Sequence, residues 1–312
     1  MNTVPVVFAF DNNLVLPACV CISSLMMHAR EDTFYDIFIL HSRKVALDRS
    51  GLDRIPRFYP RCRIQYRQVD DTFDSAFEIR GITTPAYYRL LIPELIPEYD
   101  KVIYSDVDVI FRMDLSELYR TDVSDYYLAA TRDVGLNFSG DGIRYVLSLG
   151  GLIRGQYLQS GFILMNSRKI RQDNLVDVFR ELAKRKLKYQ DQDILNLACV
   201  GRVLFLPMKY NMTDYSYSFI NQNRSEIRTL CDEAETGEAL KTGNIHFNGH
   251  KPWKKYSLNF DIWWEYYRKS PFFDEKFYFD FFYYRLNILD QLSLWKRIKI
   301  LLRYFVYGKR VI

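Results

Sequence analysis

Apolar residues in the first part of the chain come in short runs rather than helical stripes. VPVVFAF (4–10), YDIFILHS (35–42), CRIQYRQV (62–69) and DKVIYSD (100–106) are rich in Val, Ile, Phe and Tyr, and segments with helical patterning separate them. Runs of this length and composition predict strands, and their alternation with helices predicts a parallel sheet covered on both faces. Leu14 to Arg30 carries apolar residues at helical spacing, and RKIRQDNLVDVFRELAKRK (168–186) reads as one amphipathic helix. Farther on, YLQSGFILMN (157–166) and GRVLFLP (201–207) predict strands, YQDQDILNLA (189–198) opens a helix, and NIHFNGHKPW (244–253) closes the domain. The stretch 137–156, with its glycines and serines, interrupts the pattern and reads as a loop with a short helix over a site.

This organisation predicts an α/β domain over residues 1–256 with a mostly parallel central sheet. A helical annex, aromatic and basic, is expected over 257–312. With 312 residues, 48% of them hydrophobic, the chain has material for one large domain and an appendage, which argues against disorder as its main theme. The annex stands out in composition: WWEYYRKSPFFDEKFYFDFFYY (263–284) is dense in rings. Charge is uneven too. The net is only +5, yet after Asp290 no acidic residue follows, while Lys296, Arg297, Lys299, Arg303, Lys309 and Arg310 do. Leu294, Trp295, Ile298, Leu301, Leu302 and Phe305 fall on one helical stripe, with Lys296, Lys299 and Arg303 opposite. That pattern suits an interfacial helix on an anionic membrane, the alternative being a stripe packed on the first domain.

Five cysteines without a C-x-x-C pair fit neither a disulfide framework nor a four-ligand zinc site. The N-terminus has no basic residue before Arg30, so it lacks the charged part of a signal peptide. No uncharged segment of about 18 residues could span a bilayer. A cytoplasmic protein, peripheral on the inner face of the plasma membrane, is expected. Nucleic acid is not expected as a partner, because no recognised motif appears and the excess charge is confined to the tail.

Candidate chemistry begins at YSDVDVIF (104–111). If the chain stays extended, Asp106 and Asp108 project the same way, and two carboxylates so close need a shared proton, a basic side chain or a metal ion. Spacing alone decides little, since Asp191-Gln192-Asp193 repeats it. Context adds more: ligands bind at the carboxyl ends of strands in open parallel sheets, and Asp11 follows the first predicted strand as Asp106 follows the fourth.

FAFDNN (8–13), TPAYYRLLIPELIP (84–97), YSDVDVIF, SGFILMN (160–166), YQDQDILN (189–196) and HFNGHKPW (246–253) occur in that order. Together, over roughly residues 4–256, they resemble the family 8 glycosyltransferases, among them bacterial lipopolysaccharide galactosyl- and glucosyltransferases. The resemblance implies a Rossmann-like nucleotide-binding domain of the GT-A type. It implies a metal-dependent, retaining transfer of galactose or glucose from a UDP-sugar to a saccharide or glycolipid acceptor, in lipopolysaccharide or other surface glycan synthesis. Asp106, Asp108 and His246 would hold the metal, and one imidazole among carboxylates suits manganese better than magnesium, the alternative.

By the same resemblance, Asp11 and Asn13 would meet the base and ribose, Arg89 and Asp133 the nucleotide sugar, and Gly249, His250 and Lys251 the diphosphate. Gln159 stands where relatives commonly offer an asparagine to the sugar. Asp191 would orient the sugar, with Gln192 beneath its anomeric carbon. The chain departs from the family in having one residue, His250, between glycine and lysine where two are usual. Each assignment has a plainer competitor: a turn or helix cap for Asp11 and Asn13, and a salt bridge to Asp106 or Asp108 for Arg89. For the whole chain the alternative is a non-catalytic membrane- or polyanion-binding protein that keeps the fold, although such a protein would be expected to lose metal ligands. Glycoside hydrolysis also uses aspartate pairs, but it needs no metal and diphosphate site.

Overall fold

The computed structural model describes residues 2–73, 76–78 and 84–307. In chain order its strands are β1 (Asn2–Ala9), β2 (Thr33–Ser42), β3 (Cys62–Val69), β4 (Val102–Ser105), β5 (Val109–Ile110), β6 (Leu128–Arg132), β7 (Leu158–Met165), β8 (Val203–Phe205), β9 (Met212–Thr213) and β10 (Ile245–His246). Seven of them form the main sheet in the order β3-β2-β1-β4-β7-β6-β8. All pairs are parallel except those of β7, which runs against both neighbours. Strands covered on both faces must be apolar throughout, and every residue of β7 is buried, as are Val4 to Phe8 of β1. Burial, not alternation, thus shaped β1, β2 and β4, whereas β3 at the sheet edge is mostly half-buried or exposed.

The reversal of β7 positions the site. Ser105 of β4 pairs with Phe162 and Tyr104 with Ile163, so the first residues of β7 meet the carboxyl end of β4. Asp106 N–H donates to Gly161 O at 2.8 Å. A second, three-stranded sheet, β5-β10-β9, joins the strand that follows β4 to two strands from late in the domain. Its antiparallel pair sets His246 opposite Val109, which brings the histidine beside Asp108. The helix Val15–Met27 is buried from Pro17 to Met26 and is tied to this junction where Ser24 Oγ accepts Phe111 N–H at 2.9 Å.

One expectation changes. Residues 168–186 are not one helix but two, Ser167–Gln172 and Leu175–Ala183, parted at Asn174 with φ of 52°. Asparagine tolerates the left-handed conformation, and the break redirects the chain so that Leu175, Val176 and Phe179 are buried. The stretch 137–156 holds the expected short helix, Gly140–Ser148, with Ser139 Oγ capping Gly142 N–H at 3.0 Å, after the end of a helix, Val134–Phe138, that begins before it.

The first compact unit runs through Pro271. It therefore takes in the helix Phe260–Lys269, which composition grouped with the annex. Trp263, Trp264 and Tyr267 are buried in it, and His28 Nε2 pairs with Tyr266 OH at 2.7 Å. The second unit, from Phe272, consists of the helices Glu275–Asp290 and Leu294–Tyr307. Its large apolar side chains include exposed Phe279, Tyr283, Leu294, Trp295, Leu301, Leu302 and Phe305. Among the described residues no helix is long and apolar enough to cross a membrane.

Candidate active site

Asp106 and Asp108 lie in the bend between β4 and β5, and with His246 they form a group whose ligand atoms all lie within 4.8 Å of one another. His246 Nε2 is 3.3 Å from Asp108 Oδ1 and 3.8 Å from Asp106 Oδ2. Its other ring nitrogen, Nδ1, pairs with Asn211 Oδ1 at 3.0 Å. That carbonyl oxygen can only accept, so the network assigns the proton to Nδ1 and turns the Nε2 lone pair toward the carboxylates. Asn211 is itself oriented, its Nδ2 donating to Gln159 Oε1 at 2.6 Å, which also takes Gly161 N–H at 2.7 Å. Close approach is essential at Gly161: a Cβ there would collide with His246 Cε1 and lie 2.7 Å from Asp106 Oδ2.

The like charges are compensated by one cation each. Arg89 Nη2 donates to Asp106 Oδ1 at 2.8 Å, and Tyr104 OH to the same oxygen at 2.7 Å. The Lys251 ammonium is paired with Asp108 Oδ2 and donates to Phe247 O at 2.6 Å. Burial opposes ionisation of Asp108, but the paired Lys251 ammonium outweighs it and holds the carboxyl well below its usual range. Asp108 Oδ1 is nevertheless buried without a hydrogen-bond partner among the described residues. A buried carboxylate oxygen left over beside a second carboxylate and an imidazole lone pair fits a divalent cation, which accepts hard oxygens and one nitrogen.

On the other side of Arg89 lies Asp191, in the first turn of the helix Gln190–Ala198, with its Oδ2 3.2 Å from Arg89 Nε. Ser160 Oγ donates to the same oxygen at 3.0 Å. Burial raises the Asp191 carboxyl to about 6, with Arg89 opposing and Asp106 adding to the rise. Gln192 bridges the site: Oε1 accepts Ser160 N–H at 3.0 Å and Nε2 donates to Asp133 Oδ2 at 3.1 Å. The other oxygen of Asp133 caps its own helix at Leu136 N–H, 2.9 Å away, and burial pushes this carboxyl up as well. One continuous cluster thus runs from a cation-compatible end to a polar floor of carboxylates and an amide.

The sequence profile of glycosyl transferase family 8 matches residues 5–257. The chain belongs to that family. A putative glycosyltransferase of Haemophilus influenzae is 28% identical over 50% of this chain and 46% of its own length. A lipopolysaccharide 1,2-glucosyltransferase of Escherichia coli is 26% identical over 81% of this chain and 74% of the relative. The chain thus spans about half the length of the first of these relatives. In structure it is similar to the galactosyltransferase LgtC, crystallised with donor and acceptor sugar analogues, with a TM-score of 0.70 at 24% identity over 87% of this chain and 98% of the other. This likeness shows the GT-A fold.

Against the family pattern, Asp106, Asp108, His246, Arg89, Asp191, Gln192, Asp133, Gln159 and Lys251 all join the cluster. Gln159 Oε1 accepts two hydrogen bonds behind the histidine. Asp11 and Asn13 stand apart, one strand over at the end of β1, where Asp11 Oδ1 caps Asn13 N–H at 2.9 Å. Gly249 and His250 lie on an exposed turn, and a Cβ at Gly249 would collide with Asp214 Oδ2. Sequence reasoning passed over Asn211 and Ser160. Ser160 stood inside the SGFILMN motif and could have been found there, whereas MKYNMTD around Asn211 carries no signal.

Proposed function

We propose that this family 8 protein is a retaining glycosyltransferase moving galactose or glucose from a UDP-sugar to a saccharide or glycolipid acceptor in lipopolysaccharide or other surface glycan synthesis. The observation that carries the reading is the Asp106, Asp108 and His246 cluster with its unpartnered buried oxygen. The names of the Escherichia coli relative and of the structural neighbour support the substrate class. Asp106, Asp108 and His246 would hold the cation, manganese in preference to magnesium. When bound, the ion neutralises charge that grows on the departing diphosphate.

The remaining work falls to this chain's own groups. Lys251 and Arg89 add positive charge on the diphosphate side, while Asp191 and Asp133 orient sugar hydroxyls. Gln192 is an amide and cannot serve as a general base for attack from the far face. The acceptor hydroxyl therefore enters on the leaving-group side, where a diphosphate oxygen can take its proton, and configuration is retained. A donor-hydrolysis screen tests the reading without knowledge of the acceptor. UDP-galactose or UDP-glucose should be turned over with manganese, GDP- and CMP-sugars should not, and no release from any UDP-hexose would overturn it.

The exposed apolar side chains of the helix Leu294–Tyr307, with exposed Lys296 and Lys299, further support peripheral attachment to an anionic membrane on its cytoplasmic face, each cation adding on the order of 1 kcal/mol. In liposome flotation the full chain should rise with anionic vesicles, and a version ending at Asp290 should stay below. Equal binding by the two would remove this helix as the anchor.

A further inference from the structure

The second Asp-x-Asp of the sequence divides its work. Asp191 belongs to the cluster beside Arg89, but Asp193, fully buried, points away from it. Its Oδ1 accepts Tyr157 OH at 2.5 Å, and its Oδ2 accepts Tyr145 OH at 2.5 Å and Tyr189 N–H at 2.8 Å. Tyr145 stands on the helix Gly140–Ser148 and Tyr157 leads into β7. Both belong to the segment 133–157, which begins with Asp133.

That segment has little apolar anchorage of its own. Leu136, Val146 and Tyr157 form a small buried cluster separate from the main core. Its polar ties are more extensive. Asn137 Oδ1 accepts Tyr157 N–H at 2.9 Å, and Asn137 Nδ2 donates to the carbonyls of Tyr157 and Asp133 at 2.7 and 2.8 Å. Asp133 N–H donates to Tyr157 O at 3.0 Å. From Asp193 a chain of hydrogen bonds thus runs through Tyr157 to the backbone of Asp133, while the neighbouring Gln192 grips the Asp133 side chain. One helical turn holds Asp133 from both ends.

We propose that Asp193 is a positioning residue: by pinning Tyr145 and Tyr157 it sets the segment 133–157, and through it the Asp133 carboxylate, against the donor sugar. It does not touch the sugar itself. A buried carboxylate gripped by two hydroxyls and a backbone N–H needs no further partner, so the motif's second aspartate has a task distinct from that of its first. The inference rests on the reading of Asp133 as a donor contact.

The test is a double-mutant cycle on kcat/KM for UDP-hexose hydrolysis. Asp193→Asn forces an amide N–H onto one of its donors and should lower kcat/KM about 10- to 100-fold, mainly through KM for the donor, in a protein of unchanged circular dichroism. If Asp193 acts through Asp133, the Asp133→Asn/Asp193→Asn double variant should lose no more than about threefold beyond the worse single one. Losses that multiply would overturn the inference while leaving the donor reading intact. A fully active Asp133→Asn would overturn both. Should Asp193→Asn fail to fold, Tyr145→Phe/Tyr157→Phe removes the two hydroxyls, keeps the rings, and enters the same cycle with the same criteria.

Discussion

Replacing Asp108 by Ala should lower sugar transfer by about 1000-fold, roughly 4 kcal/mol of transition-state stabilisation, without unfolding the protein. Asp108 provides the buried, unpartnered oxygen of the cluster and faces His246 Nε2, so no nearby side chain replaces it. Its other oxygen is paired with Lys251, whose side chain is 30% exposed, and an ammonium so placed can turn to solvent when its partner goes. The fold does not depend on this carboxylate, because β5 and β10 are joined through backbone groups, with Phe247 N–H donating to Asp108 O at 2.9 Å. Transfer rates in manganese, bound manganese by electron paramagnetic resonance and a melting curve check the three parts. Near-normal transfer by the variant, or indifference of the wild type to a chelator, would sink the metal assignment.

Asp191→Asn should slow transfer about 100-fold, and Gln192→Ala about 10-fold, because the first loses both orientation and charge and the second only an amide dipole. Stability should move the opposite way for Asp191→Asn. The folded carboxyl titrates at about 6, above its ordinary value of 3.8, so the protonated form is favoured by folding. That advantage is complete below about pH 4, fades as pH rises toward 6, and is gone above it, leaving a buried charge that costs stability at pH 7.5. The neutral amide copies the protonated form, and Arg89 keeps Asp106 at 2.8 Å. The variant should therefore melt above the wild type at pH 7.5, with the two curves converging in acid; a lower melting temperature at pH 7.5 would contradict the burial argument. For the reaction itself, anomeric coupling in the first product from an α-linked UDP-hexose reads out the stereochemistry, and a β-linked product would refute retention.

Strands buried on both faces cannot hide in a sequence. Burial removes polar residues from VPVVFAF and from Ile37 to Leu40 of YDIFILHS, and β1 and β2 formed there with the expected parallel pairing. Asp106 and Asp108 were legible through their context, since two carboxylates ending an apolar run need a shared proton, a basic side chain or a metal ion once they are withdrawn from water. The left-handed Asn174, by contrast, is one residue's dihedral inside an amphipathic pattern that continues across it, so the helix break could not be seen. Nor could the extent of the first unit, because ring-rich composition is the same whether Trp263 and Trp264 are buried or exposed.

The direction of β7 was decided by tertiary pairing alone, and with it the identity of the groups behind the site. A reversed strand sets Gln159, Ser160 and Gly161 at the end of β4, and the small sheet carries His246 and Asn211 to the same spot. The sequence by itself determined which residues carry charge and which runs must be buried, because solvation acts on each residue where it stands. Only the fold decided which lone pair faces which proton, because a hydrogen bond depends on a few tenths of an ångström between residues distant in the chain.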